Sequence, residues 1–143
     1  MAELSNKARV GEAFDLLASG IEPFVAQHMQ RATPDGKDWA AHYVATSRTP
    51  DREYSTNDPS FLLNVMIDCW DGVFRRQLPR SARNLLFTLR DKRNEWAHNR
   101  AIQPHDAQFT LSGVLTLLEA VDAREADRAR ISLDELNRSL FER

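Results

Sequence analysis

Apolar residues in the first part of the chain return at threes and fours: Val10, Phe14 and Leu17, then Ile21, Phe24 and Val25. That is the period of one face of an α-helix. Ser19-Gly20 and Pro23 interrupt it. Proline inside a helix removes a hydrogen bond and crowds the preceding turn, so the pattern predicts one long kinked helix or two helices joined near Gly20. Residues 31–58, "RATPDGKDWAAHYVATSRTPDREYSTND", hold two prolines, a glycine and many small polar side chains. This is loop composition, with room for one short helix over Trp39 to Val44.

A start signal follows. Asp58 can cap free helix amides, and Pro59 suits the first helical position, where its missing N–H has no partner to lose. Beyond it the pairs Phe61/Leu62, Val65/Met66, Cys69/Trp70 and Val73/Phe74 repeat every four residues. A band that wide must pack against several neighbours, which makes this the expected central helix. Pro79 opens the next, with Ala82, Leu85, Leu86, Leu89, Arg93 and Trp96 as its stripe. Another runs from about Asp106 and buries Phe109, Val114, Leu117, Leu118 and Val121. Ser132 and Glu135, at capping-box spacing, announce a last helix carrying Leu133, Leu136 and Leu140.

No alternating apolar run persists long enough for a sheet. The expected fold class is all-α, a four- or five-helix up-and-down bundle. At 143 residues the prior is one domain. The chain stops at "SLFER" with its last helix still amphipathic, so residues 1–143 are expected to be the N-terminal part of a longer protein.

Composition removes several classes. Neither a membrane-length apolar run nor a signal-peptide core is present, which points to the cytoplasm. Cys69 is the only cysteine, so no internal disulfide can form, and it reads as a small buried hydrophobe. His28, His42 and His105 show no ligand spacing, so no metal and no cofactor is expected. A net charge of -2 predicts no nucleic-acid partner from the whole molecule. Its distribution does: from Arg75 to Arg100 eight basic residues face three acids, even counting Asp71 just upstream.

Inside that segment Arg93 occupies a position of the apolar stripe. A guanidinium stays charged, so its burial must be repaid, by a carboxylate such as Asp68, Asp71 or Asp91, or by a phosphate from outside. Asn94 and His98, four apart, share a face, whereas Arg93 and His98, five apart, point about 140° away from each other. Either the helix ends near Ala97 and His98 folds back, or Arg93 and His98 of two copies meet across a dimer. Arginine, amide and histidine suffice to cut RNA without a metal. The 2′-hydroxyl is the nucleophile, histidine moves protons near neutrality, and arginine's fork stabilises charge on the phosphorane.

Arg93-Asn94-Glu95-Trp96-Ala97-His98 resembles the arginine, polar residue, three variables, histidine motif of HEPN domains, the higher eukaryotes and prokaryotes nucleotide-binding superfamily. The surrounding order is similar too: "VGEAFDLLASGIEPFV", "FLLNVMIDCWDGVFRRQL", "LRDKRNEWAHNR", then "HDAQFTLSGVLTLLEAVDAREADRAR". The likeness spans nearly the whole chain, least clearly over 31–58. It looks like the branch found N-terminal to bacterial helicase-like and ATPase proteins and beside a nuclease in a eukaryotic transcript-surveillance endonuclease. The resemblance implies a homodimer with facing motifs and, in many members, a metal-independent endoribonuclease leaving 2′,3′-cyclic phosphate. Carried over by position, Arg93 and His98 are the catalytic pair and Asn94 the accessory residue. Arg75, Arg76, Arg83, Arg90, Arg100 and Trp96 are the expected RNA contacts.

Each of these residues also has a plainer reading. His98 can simply answer the dipole at a helix C-terminus. Arg93 can be a structural ion pair, the basic run a solvated face, and Trp70 and Trp96 core. Some members of the superfamily keep the fold only for binding or dimerisation, which leaves open a non-catalytic RNA-binding module joined to an ATPase or helicase.

Overall fold

Ser5 accepts the Ala8 N–H at 3.0 Å and so opens α1 (Asn6–Ala32). The helix passes through Gly20 and Pro23 without a break. Pro23 is exposed, and Ser19, whose carbonyl loses its partner there, is exposed as well, so water can satisfy it. Gly20 has a different role. A Cβ at this position would stand 2.3 Å from Leu118 Cδ2, so glycine is what lets α1 approach α5.

The computed structural model describes residues 4–141, and the helices are its only regular elements. The end of "SLFER", Glu142 and Arg143, lies outside the described residues. The short helix expected in the loop-rich stretch is α2 (Trp39–Ala45), capped by Asp38. Asp58 accepts the Ser60 N–H at 3.0 Å and starts α3 (Pro59–Asp68), with Pro59 in the first turn. Next come a 3-10 turn at Phe74–Arg76, α4 (Ala82–His98), α5 (Pro104–Ala120) and α6 (Glu125–Phe141). The class is all-α, as the periodicity predicts.

The central element is α1, not the helix after Asp58: it packs against each of the other five helices. Leu17, Ile21 and Val25 of α1 meet Leu62, Val65 and Met66 of α3 and Leu117 and Leu118 of α5 in one core. The apolar band of α3 outlasts its helix. Asp71-Gly72 are poor helix formers, and after Cys69 the chain winds on through wider turns, with Phe74 N–H bonding to Cys69 O and Arg75 N–H to Trp70 O. Trp70 and Phe74 are buried there regardless.

Pro79 does not begin α4. It accepts the Ala82 N–H at 2.9 Å and belongs to the turn leading in. Phe109 is not part of the buried face of α5: it is 56% exposed, while Ala107, Thr110 and Leu111 turn inward. Ser132 and Glu135 do not cap a helix, because α6 already starts at Glu125. The turn before it is a Schellman motif: Asp122 sits at φ 58°, Ala123 N–H reaches Leu118 O at 2.9 Å and Asp122 N–H reaches Glu119 O at 3.1 Å. Ser132 and Glu135 instead hold Arg9 of α1, whose Nη1 lies 3.3 Å from Ser132 O and Oγ and 3.1 Å from Glu135 Oε2.

Candidate functional site

The C-terminal end of α4 is clamped by the first turn of α1. Trp96 Nε1 donates to Lys7 O at 2.9 Å, and its ring lies 6.2 Å from Phe14. The Lys7 ammonium hydrogen-bonds to the carbonyls of Trp96 and Asn99, placing a cation on the negative end of the helix. Asn6 Nδ2 adds a 3.2 Å bond to Ile102 O beyond that end. Nothing in the spacing of the sequence connects Lys7 to residues some ninety positions away, so sequence reasoning misses this lysine.

Held this way, α4 stays regular to its last residue, His98, and Asn99 N–H closes it on Glu95 O at 2.9 Å. His98 therefore does not fold back, and Arg93 and His98 of one chain point in different directions. Arg93 turns inward. Its Nη2 stands 3.9 Å from Asp58 Oδ1, the oxygen that caps α3, and its Cζ lies 5.4 Å from the centroid of Trp96. The carboxylate beside it is thus Asp58 and not Asp68, Asp71 or Asp91. Its side chain is 24% exposed, recessed but reachable. Trp96 is half-buried, with the Lys7 ammonium 4.9 Å from the ring and the Arg93 guanidinium also against it.

The outer face of α4 carries a different set. Arg83, Phe87, Arg90, Asn94 and His98 follow at steps of four, three, four and four, which puts them in one stripe. Arg83, Asn94 and His98 are exposed. Phe87 is half-buried, with the Arg83 and Arg90 guanidinia 5.6 and 5.1 Å from its ring centroid. Phe87 is the second residue that sequence reasoning misses, although its position between the two arginines is readable from the spacing. Arg75 and Arg76 are exposed on the 3-10 turn, and Arg100 just past α4. Among the described residues none of Arg75, Arg76, Arg83 and Arg100 has a carboxylate within 4.0 Å, whereas Arg90 Nε lies 3.7 Å from Asp91.

Lys92 and Glu95 belong to neither face. Lys92 Nζ bonds Glu95 at 3.2 Å and Asp106 of α5 at 3.4 Å. Burial alone would lower its pKa, but the two carboxylates outweigh that and hold the ammonium above its ordinary value. Glu95 is therefore committed to Lys92 and not to His98. Chemically, the stripe offers an exposed imidazole and an amide on the same face as Arg83, which has no carboxylate within 4.0 Å among the described residues, a surface suited to a phosphodiester. The recessed Arg93 stands on another side of the same helix.

The family model described as Swt1-like HEPN matches residues 12–122, which include all of α2, α3, α4 and α5 and most of α1. No curated protein and no solved structure matches the chain.

Proposed function

The chain belongs to the Swt1-like HEPN family, whose domains are often ribonucleases, and from that premise we propose that it is a metal-independent endoribonuclease that works as a homodimer. The observation that carries this reading is the exposed Asn94 and His98 at the end of the Arg83–Phe87–Arg90 stripe. His98 takes the proton of the 2′-hydroxyl, O2′ attacks phosphorus, the P–O5′ bond breaks, and a water molecule protonates the departing 5′-oxygen. The products are a 2′,3′-cyclic phosphate and a 5′-hydroxyl end. Asn94 holds a non-bridging oxygen. The regular α4 keeps Arg93 from its own His98, so the guanidinium that stabilises the phosphorane comes from a second copy.

Arg75, Arg76, Arg83, Arg90 and Arg100 grip the strand through phosphates. Trp96, already carrying two cations, serves the site by fixing the end of α4. The setting is cytoplasmic RNA processing or defence against foreign genetic elements. A second reading, a non-catalytic RNA-binding and dimerisation module of a longer protein with an ATPase or helicase region, is favoured by one observation: Arg93 is already engaged by Asp58 and Trp96.

The test is incubation with labelled RNAs in EDTA, wild type beside His98→Ala, with molecular mass measured on the same samples. Cleavage to cyclic-phosphate ends by a dimer, reduced about 100-fold or more in the variant, is the expected result. A folded dimer that binds RNA in a salt-sensitive way but cuts none would replace the nuclease by the binding module, with Arg75, Arg76 and Arg83 dominating affinity.

A further inference from the structure

A cleft of about 670 Å³ opens between the end of α2, the turn at 46–52 and the second half of α3. The motif helix does not line it. It lies along α3 from the contact of Asp58 with Arg93, and ten helical residues rise about 15 Å. Two arginines, Arg48 and Arg52, reach it together with Thr49, Asn64, Tyr43 and Asp68.

Arg52 is held in an unusual way. Its Cζ lies 5.7 Å from the ring centroids of both Tyr43 and Phe61, which fix the guanidinium against their faces. Its Nε is sealed from solvent and has no hydrogen-bond acceptor. Among the described residues neither Arg48 nor Arg52 has a carboxylate within 4.0 Å. Asp68 is the one acid lining the cleft, and it accepts the Tyr43 hydroxyl. Burial first, and then the Asp68 carboxylate, push that phenol far above its ordinary value, against a smaller opposing pull from Arg52. Tyr43 thus keeps its proton and donates it to Asp68 Oδ2.

The rest of the lining supplies donors. The Ser47 and Thr46 hydroxyl protons are spent on the carbonyls of Val44 and His42, at 2.6 and 2.9 Å. The Asn64 amide, the Thr49 hydroxyl and the arginine forks remain. Two guanidinia that no carboxylate neutralises among the described residues, beside two neutral donors, suit a tetrahedral oxyanion. At about 670 Å³ the cleft has room for a body larger than one phosphate ion. We propose that this cleft binds a phosphate ester, with Arg48 and Arg52 gripping the phosphoryl oxygens and Thr49 and Asn64 completing the shell. This does not rest on the ribonuclease reading.

The experiment is an amide NMR titration of the full chain with inorganic phosphate, adenosine monophosphate and a short RNA in turn, using wild type, Arg48→Ala, Arg52→Lys and His98→Ala. Arg48 is exposed, so Arg48→Ala leaves the fold intact. With phosphate and the mononucleotide the expected result is saturable shifts confined to residues 46–52 and 64–69, and RNA adds shifts on the outer face of α4 to those of the cleft. Arg48→Ala and Arg52→Lys weaken the cleft shifts about tenfold or more, while His98→Ala does not. Saturation by the mononucleotide identifies a free ester as the ligand, and saturation by RNA alone identifies the strand. No saturable shift at millimolar ligand, equal affinity in Arg48→Ala, or shifts confined to the outer face of α4 would overturn the proposal. The last outcome would leave the ribonuclease reading untouched.

Discussion

Glu135 is 45% exposed at its side chain, whereas its partner Arg9 is only 9% exposed. That asymmetry sets the cost of losing either one. Removing Glu135 leaves a buried guanidinium with, among the described residues, Ser132 O and Oγ as its acceptors, whereas removing Arg9 leaves a carboxylate that water can reach. Glu135→Ala should therefore cost about 2–3 kcal/mol, and Arg9→Met, which fills the same space without a charge, less than about 1 kcal/mol. Urea unfolding of both variants measures the difference, and the reverse order would refute the asymmetry. At this scale the sequence was misleading in an instructive way. Arg93 stands on a stripe and draws attention, yet it is only recessed. The deeply buried arginine is Arg9, and its partners lie more than a hundred residues away, where no spacing rule reaches.

The seam between α1 and α4 sets where the motif ends, and it depends on Gly11. A Cβ there would lie 2.9 Å from Trp96 Cζ2, and the indole cannot slide because its Nε1 is tied to Lys7 O. Alanine in a helix interior gains about 1 kcal/mol over glycine, but overpacking against a fixed ring costs about 1–3 kcal/mol. Gly11→Ala should thus lose about 1 kcal/mol in the native background and become stabilising once Trp96→Leu has removed the ring. The four corners of that cycle, measured by denaturant unfolding, decide the matter: equal effects in both backgrounds would mean the seam is not tight.

What was legible among the elements follows the same division between near and far. Asp58-Pro59 could be read because a cap acts within three residues, and the stripe of α4 because its period is local. Ser132 and Glu135 had the right spacing for a cap, but Asp122 had already turned the chain and α6 was under way. Hydrophobicity alone places Phe109 on the buried face: at about 100° per residue it stands about 130° from the centre of the Val114, Leu117, Leu118 and Val121 stripe, and it faces outward.

For the molecule as a whole, the separation of Arg93 from His98 is the decisive fact. One regular helix carries both, five positions apart, and its end is locked by Lys7 and Trp96, so no small rearrangement within a chain unites them. The candidate site was therefore legible as a set of residues but not as a place: sequence singles out the arginine, amide and histidine, and only the regular helix end shows that Arg93 and His98 of one chain point apart. If the enzyme is a two-fold dimer, each site joins Arg93 of one copy to His98 of the other. Arg93→Ala and His98→Ala homodimers are then both inactive. Mixed after dissociation and reassociation, half of the dimers are hybrids, and each hybrid holds one site with both groups intact, so about a quarter of wild-type activity should return. A site built within one chain predicts no recovery, because every hybrid would carry two defective sites. RNA cleavage by the mixture, compared with each variant alone at the same total concentration, separates the two arrangements.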